Sequence, residues 1–288
     1  MTFTLPAPKL LAATPKINLS YLEWGHGSEP VLLLHGLADN ALVWAQLGEA
    51  LQSKYHVVAL DLRGHGASAK PPTNYSCDAY IDDFNRVLEH FGWSQAHVLG
   101  HSWGGKLAAI WATRQPEKFK SLILHDPFFN DQIPQWWTVT FPIAYRFLPF
   151  LKLMGQFESY EKAVAIAQNL KQFRGWNDWQ QAIFQASVEA NPDGTWQSKF
   201  VRRACDEIFL DVMQTTGISK NLAVPSLFIQ PEKGLNRLTW QFKPYRQYLE
   251  NLSWQIVPGH HWAHIVEPEA FNQAIATFLD SLKKRNNH

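Results

Sequence analysis

The alternation of short apolar runs with longer amphipathic segments constrains the fold of this chain more than any other feature. Six runs of strand length are apolar almost throughout, instead of at every second residue. This pattern is typical of strands buried on both faces of a parallel sheet. The six predicted strands are Val31–His35, His56–Leu60, Ala96–Gly100, Ser121–His125, Ser226–Gln230 and Trp254–Val257.

Segments with helical periodicity separate these runs, and strands that alternate with helices indicate an α/β fold. We therefore predict a doubly wound, mostly parallel sheet with right-handed crossovers. Two earlier segments, Lys9–Ala13 and Asn18–Trp24, are predicted to add antiparallel edge strands. The fourth predicted helix requires Pro244 to lie in its first turn. The predicted helices are Ala41–Gln52, Asp78–Phe91, Trp103–Thr113, Trp240–Leu249 and Glu269–Lys284.

The interval 128–221 lacks this alternation, since it has helical composition and no convincing buried strand. A structureless loop of that length is improbable inside a compact domain. We predict that 128–221 is an inserted helical cap, and that 1–127 and 222–288 form the core. Most of its aromatic rings are expected to pack the cap, and a minority to line an apolar pocket. The rings are Trp136, Trp137, Phe141, Tyr145, Phe147, Phe150, Phe157, Trp176, Trp179, Phe184 and Trp196.

The segment Gly100-His101-Ser102-Trp103-Gly104 joins a predicted strand directly to a predicted helix. A Gly-x-Ser-x-Gly motif at such a junction is far more specific than the motif alone. The turn must be sharp and strained to expose Ser102, so side chains at Gly100 and Gly104 would collide with neighbouring backbone. A tight turn with a bystander serine is the alternative. We predict that Ser102 is a nucleophile and that both glycines shape its elbow.

With three further landmarks, the chain resembles the α/β-hydrolase family over nearly all of its length outside the predicted cap. The landmarks are His35-Gly36, the segment Asp61–Ser68, and Gly259-His260-His261 through Glu267-Pro268. Within the family the chain resembles lidded esterases, carbon–carbon bond hydrolases and haloalkane dehalogenases. The dehalogenases and the epoxide hydrolases carry an aspartate as the nucleophile. Ser102 therefore disfavours those two chemistries.

The resemblance implies an oxyanion hole built from two backbone N–H groups. One belongs to Leu37, which follows His35-Gly36, and the other to Trp103, which follows the nucleophile. A turn glycine with no further role is the alternative for Gly36. The resemblance also marks Asp61–Ser68 as a structural loop, in which we expect Arg63 to form an ion pair or a hydrogen bond.

The same resemblance identifies His261, seven residues before Pro268, as the general base. The match is imperfect, because Val266 occupies the usual glutamate position and Glu267 comes one residue later. His264 then corresponds to a position that is commonly structural. The histidines at 260, 261 and 264 could also bind a metal ion. Zinc sites on helices need i, i+4 spacing or a further ligand, and no acidic or cysteine partner lies nearby in pattern. We assign no metal.

The carboxylate partner of the base is where the sequence departs from the family. Relatives usually carry Gly-x-x-Asp after the strand that follows the cap, whereas here Pro231 replaces the glycine and Gly234 the aspartate. Some relatives carry the acid at the end of the strand before the cap, which corresponds to Asp126. We predict Asp126 as the acid and keep Glu232 as the alternative acid. A structural Asp126 in a protein without a working acid is the third reading.

Composition narrows the function further. The net charge of +1, with scattered lysines and arginines, gives no surface for nucleic acid. Cys77 and Cys205 lie in no paired motif, which favours reduced thiols in the cytoplasm. Neither a signal peptide nor a membrane-spanning segment is expected. The prediction is a cytoplasmic monomer or homodimer that needs no cofactor.

The predicted reaction is hydrolysis of a carboxylic ester with an apolar or aromatic group. A carbon–carbon bond hydrolase, a thioesterase or a perhydrolase would use the same residues. A ligand-binding receptor with weak catalysis is the alternative from a different class, and the missing Gly-x-x-Asp motif supports it. A lyase or a cofactor-free oxygenase on the same scaffold is the third alternative.

Overall fold

The computed structural model describes residues 5–132 and 153–286. Along the chain its strands are β1 (Lys9–Thr14), β2 (Ile17–Trp24), β3 (Glu29–Leu34), β4 (Tyr55–Leu60), β5 (Ala96–His101), β6 (Phe119–His125), β7 (Gln156–Phe157), β8 (Val188–Ala190), β9 (Trp196–Ser198), β10 (Ser226–Lys233) and β11 (Leu252–His260). Its helices are α1 (Ala45–Leu51), α2 (Cys77–His90), α3 (Ser102–Arg114), α4 (Tyr160–Ala167), α5 (Asp178–Ser187), α6 (Arg202–Gln214), α7 (Thr239–Tyr248), α8 (Ala263–Val266) and α9 (Pro268–Asn286). Short 3-10 helices lie at Ala41–Trp44, Pro116–Lys118 and Lys171–Phe173.

Eight strands form the central sheet in the order β1-β2-β4-β3-β5-β6-β10-β11. The first two strands pair antiparallel, as does β2 with β4, and the other pairs are parallel. Every residue of β5 is buried, as the uninterrupted apolar run predicts for a strand covered on both faces. The α/β class and the mostly parallel sheet of the sequence prediction are confirmed. Because the chain reverses strand order beside β3 and β5, their carboxyl ends open a crevice.

The predicted elements are all present in the core, with shifted ends and one correction. Helix α7 begins at Thr239, so Pro244 is its sixth residue and does not lie in the first turn. A proline there lacks the N–H that would bond to the fourth residue back. The rings of Phe242 and Tyr245 pack on Phe228 in the sheet, which holds the helix in place despite that lost bond.

Between Gln156 and Ser198 the chain leaves the central sheet and forms a second, small sheet. Its three strands lie in the order β7-β9-β8 and pair antiparallel. The sequence prediction contained only helices here, because strands of two or three residues are too short to show a two-residue period. The predicted rings Trp136, Trp137, Phe141, Tyr145, Phe147 and Phe150 lie outside the described residues. The cap boundaries at 128 and 221 remain a prediction.

Two groups of hydrogen bonds tie this region, and the helix α6 that follows it, to the core. Asn40 caps the first 3-10 helix and donates its side-chain amide to the carbonyl of Ile183 and the hydroxyl of Ser187, at 3.2 and 2.8 Å. On the other side, the α6 carboxylates of Glu207 and Asp211 accept backbone N–H groups at and just before the start of α2. Both α5 and α6 are thereby held against core loops.

The loop after β4 contains the ion pair that the sequence predicts for Arg63. Arg63 makes two hydrogen bonds of 2.7 Å to the carboxylate of Asp83, and both side chains are buried. Within the described ranges, every helix is too short or too polar to cross a membrane.

Candidate active site

Ser102 lies where β5 ends and α3 begins, and its backbone has a φ of 52°, in the left-handed region. Non-glycine residues in that region are strained and are held there by their surroundings. A Cβ on Gly100 would come within 2.4 Å of the Gly104 carbonyl oxygen, and a Cβ on Gly104 within 2.4 Å of the His35 carbonyl oxygen. Both glycines are therefore required for this close packing, as the sequence predicts.

The two predicted oxyanion donors lie on either side of that contact. Trp103 is the second residue of α3, so its N–H has no partner within the helix and lies at the positive end of the helix dipole. Leu37 follows the end of β3, one residue after Gly36. The contact between Gly104 and His35 brings the two segments together at the nucleophile, which suits a pair of main-chain donors.

His35 orients the loop that carries Leu37. The N–H of Leu62 donates to its Nε2 at 3.0 Å, so Nδ1 carries the ring proton and donates to the carbonyl of Gly36 at 2.7 Å. Burial lowers the pKa of His35 to about 4, which keeps the ring neutral. A neutral imidazole with a fixed tautomer thus joins the ends of β3 and β4.

His261 lies just beyond the end of β11 and bridges two other predicted site residues. Its Nε2 lies 2.9 Å from the hydroxyl oxygen of Ser102. Its Nδ1 lies 2.6 Å from Oδ2 of Asp126. These distances join a hydroxyl, an imidazole and a carboxylate in one hydrogen-bonded chain. Such a chain can remove the proton of a hydroxyl nucleophile and stabilise the imidazolium that results.

Asp126 is fully buried at the end of β6 and has a φ of 41°, a second left-handed residue at the site. Its carboxylate accepts the backbone N–H of Leu235 at 2.6 Å, and the backbone N–H and side-chain amide of Asn236 at 3.0 and 2.9 Å. Burial alone would raise the pKa of Asp126. The hydrogen bond and charge of His261, with the two amides, outweigh burial and lower the pKa below its usual value.

The structure separates the two acids that the sequence left open. Glu232 is exposed near the end of β10, and no described hydrogen bond joins it to His261. Gly234, where the family motif has its aspartate, packs directly on Asp126. A Cβ there would come within 2.7 Å of Oδ2 of Asp126. The geometry brings together Ser102, His261 and Asp126, and leaves Glu232 apart.

Three more buried histidine rings surround His261. The rings of His101 and His125 stack at 4.8 Å with an interplanar angle of 29°. Nδ1 of His264 lies 3.1 Å from Nε2 of His125. Burial lowers the pKa of His125 to about 3 and those of His101 and His264 well below 6.5, so all three are neutral.

These three rings place nitrogens within 4.8 Å of one another, which raises the question of a metal ion. Nε2 of His125 and Nδ1 of His264 already share a hydrogen bond, and Nε2 of His101 lies 2.9 Å from the backbone carbonyl oxygen of His261. We therefore describe the cluster as packing and hydrogen bonding around His261. Sequence reasoning assigned His264 a structural position and missed His101, whose only signal is its place inside the elbow.

Asn236 was also missed, although it contributes two hydrogen bonds to Asp126. Its amide donates as well to the carbonyl of Pro127 at 2.8 Å. The motif offered no signal for it. The loop 35–40 after β3 carries the predicted donor Leu37 and is called the oxyanion loop below. A small cavity lies between this loop and the segment after residue 152, and is lined by Ala38, Asp39, Met154, Phe173 and Phe184. Phe184 is one of the rings that the sequence placed in the cap.

Comparison with known proteins places this geometry in a family. The family model described as "alpha/beta hydrolase fold" matches residues 29–255. A zebrafish (Danio rerio) serine hydrolase-like protein is 38% identical over 109 residues, which is 36% of this chain and 33% of the relative. Mouse (Mus musculus) epoxide hydrolase 4 is 35% identical over 124 residues, 41% of this chain and 34% of that protein. The alignments thus span about a third of the length of these curated relatives.

Solved structures agree over almost the whole chain. E-2-(acetamidomethylene)succinate hydrolase superimposes with a TM-score of 0.77 and 21% identity, and covers 95% of this chain and 99% of its own. A marine microorganism esterase gives a TM-score of 0.74 and 21% identity, with 94% and 100% covered. At these identities the likeness shows the fold alone. From the family match and the shared fold together, the chain belongs to the α/β-hydrolase family.

Proposed function

We propose that this protein is a serine hydrolase that cleaves a carboxylic ester through an acyl-enzyme on Ser102. The observation that carries the proposal is the chain of hydrogen bonds from Asp126 through His261 to Ser102, at 2.6 and 2.9 Å. His261 accepts the hydroxyl proton as Ser102 attacks the ester carbonyl, and returns it to the leaving alcohol. It then activates water for deacylation.

In this mechanism the N–H groups of Leu37 and Trp103 stabilise the oxyanion. Donors of this kind contribute several kcal/mol of barrier lowering in serine hydrolases, on the order of 3 kcal/mol for one donor. Asp126 keeps the proton of His261 on Nδ1, so that Nε2 is free to accept from Ser102. No metal ion or cofactor takes part.

Ser102 supports this reaction over that of the epoxide hydrolases among the relatives. In the enzymes with an aspartate nucleophile, the carboxylate itself forms the covalent bond, and a serine hydroxyl cannot form the same alkyl-ester intermediate. The apolar side chains of Met154, Phe173 and Phe184 beside the oxyanion loop support an apolar or aromatic ester as the substrate. The 2.6 Å contact between Asp126 and His261 weighs against the receptor alternative, because it provides a carboxylate for His261 without the Gly-x-x-Asp motif.

The test combines turnover with covalent trapping. We expect the protein to hydrolyse p-nitrophenyl esters from acetyl to long-chain acyl, and a fluorophosphonate to add once to Ser102, seen as a mass increase on its peptide. Ser102→Ala removes the nucleophile and should lower kcat by at least about 10⁴-fold and abolish labelling. Ser253→Ala, an exposed serine on β11, is the matched control.

An unlabelled Ser102 in a folded protein would overturn the proposed nucleophile. Labelling without ester turnover would instead keep Ser102 as the nucleophile and shift the substrate to a carbon–carbon bond or a thioester, which use the same residues.

A further inference from the structure

A buried carboxyl group beside the base has no part in the mechanism above. Asp39 lies in the oxyanion loop and is 8% exposed, and its Oδ2 has no hydrogen-bond partner among the described residues. The side chain of Trp262 donates a hydrogen bond to the same carboxyl group. A buried oxygen without a partner costs free energy unless it has a proton to share.

A ring nitrogen near that oxygen is also without a partner in the described structure. Nδ1 of His101 is fully buried, makes no hydrogen bond in the described structure, and lies 3.8 Å from Oδ2 of Asp39. Gly36 makes room for both, since a Cβ there would come within 2.8 Å of His101 Nδ1 and 3.0 Å of Asp39 Oδ2. Three segments of the core thus converge on two unsatisfied atoms that face each other.

The contact of the other ring nitrogen of His101, Nε2, determines which nitrogen carries the proton. Nε2 of His101 lies 2.9 Å from the backbone carbonyl oxygen of His261. A carbonyl oxygen only accepts, so Nε2 carries the proton and donates it. The ring is neutral, which leaves Nδ1 with a bare lone pair directed at Asp39. Two acceptors face each other, and the contact is favourable only with a proton between them.

We propose that a protonated Asp39 donates a hydrogen bond to Nδ1 of His101, while Nε2 of His101 donates to the backbone carbonyl of His261. These two linked hydrogen bonds, called the relay below, position the backbone of His261. A small rotation of the carboxyl group closes the 3.8 Å separation to a hydrogen bond. Asp39 is then a positioning residue: it touches neither the substrate nor the reacting atoms, and acts through His101 on the base. This inference rests on the proposed function, because it assigns His261 the role of base.

Burial agrees with this placement of the proton. Burial raises the pKa of Asp39 to about 7, although the neighbouring His261 and the Trp262 hydrogen bond act in the opposite direction. The titratable groups that face Asp39 are His101 from β5 and His261 after β11. Among the described residues after 152, the polar neighbours of the cavity are Gln172, Ser187 and Ser198, which carry no charge.

The sign of the pH effect follows from that shift. The pKa of Asp39 in the folded protein lies above its ordinary value of 3.8, so the folded state binds more protons between about pH 4 and pH 7. Over that range this group makes the folded state less stable as the pH rises. Above about pH 7 the relay loses its proton. Asp39→Asn keeps a donor at the same place at every pH.

The first experiment needs no substrate. In ¹⁵N-histidine-labelled protein, the ring nitrogens of His101, assigned by their loss in His101→Gln, should report an Nε2-protonated tautomer with a hydrogen-bonded Nδ1. Asp39→Leu should move the Nδ1 resonance to the position of a bare nitrogen, and Asp39→Asn should restore it. An Nδ1-protonated His101, or a resonance that Asp39→Leu leaves unchanged, would overturn the proposal.

Should Asp39→Leu fail to fold, the wild-type protein tests the relay by titration. Its Nδ1 resonance should shift as the pH rises through neutrality, and the shift should be absent in Asp39→Asn. A wild-type resonance that does not move between about pH 6 and about pH 8.5 would contradict the relay. Because these spectra do not depend on turnover, they separate this proposal from the failure of ester hydrolysis.

The second experiment is kinetic. Asp39→Leu should lower kcat for the best ester about tenfold with little change in KM, because an unsatisfied His101 loosens the base and not the substrate site. Asp39→Asn should recover most of that loss, and its kcat relative to wild type should rise from about pH 6 to about pH 8.5. Asp206→Asn, a carboxyl group on α6, is the control. Equal losses in both Asp39 variants, or a ratio constant with pH, would show that Asp39 only packs.

Discussion

The ends of β6 and β10 lie side by side in the sheet, and one provides the acceptor and the other the donors of the same hydrogen bonds. The end of β6 contributes a carboxylate, Asp126. The end of β10 contributes the N–H groups of Leu235 and Asn236 that surround it. In the family pattern the β10 end carries the carboxylate. The proposed assignment keeps a carboxylate beside His261 as in the family pattern, but supplies it from the end of the neighbouring strand β6.

The largest expected effect tests which strand end provides the acid, and it comes from neutralising Asp126 and Glu232 in turn. Asp126→Asn leaves the shape but favours the wrong tautomer of His261, so kcat should fall about 10³- to 10⁴-fold. Glu232→Gln changes an exposed side chain and should leave kcat within about twofold. Steady-state kinetics on the best ester, with thermal melts to verify folding, make the measurement. A larger loss in Glu232→Gln would reassign the acid to β10.

The sequence was sufficient to predict the core strands and the pairing of Ser102 with His261, because buried runs and elbow motifs are local patterns. It could not decide between Asp126 and Glu232. That choice depends on the loop at Gly234–Asn236 folding beneath a carboxylate more than 100 residues away. The sequence did not indicate Asn236, His101 or Asp39 for the same reason: each is brought to the site only by contacts between distant segments, which no local pattern encodes.

A smaller change tests the packing of the β10 end on Asp126. Gly234→Ala would place a Cβ within 2.7 Å of Oδ2 of Asp126, so we expect the carboxylate to shift away from His261 and kcat to fall roughly tenfold. Gly194→Ala is the control, because its Cβ meets nothing within 4 Å although its φ is 84°. That variant should lose stability through backbone strain and keep its kcat. Equal kcat values for the two variants would argue against a contact specific to Asp126.

The smallest expected effect concerns the side chain of Asn236. Asn236→Ala removes one hydrogen bond to Asp126 and one to the Pro127 carbonyl, so the pKa of Asp126 should rise and kcat should fall several-fold, on the order of 3-fold to 10-fold. The lowered pKa of Asp126 contributes stability that is present above its unfolded value and is lost as the pH falls through the folded value. Acid unfolding followed by circular dichroism should therefore move to higher pH in this variant. Asn251→Ala, an exposed asparagine that bonds the Ala223 carbonyl, should not move it.

The bonds that Asn40 makes to Ile183 and Ser187 carry a consequence for protein engineering. Asn40 follows Asp39 directly in the oxyanion loop, so the two hydrogen bonds of this one side chain connect the oxyanion loop to helix α5. A chimaera that exchanges residues 156–198 for a homologous segment would lose both hydrogen bonds of Asn40, unless the new segment has a carbonyl and a hydroxyl at the same positions. Exchange of this segment is therefore not the transplantation of an independent module, because the donor segment must be chosen for its fit to a single asparagine.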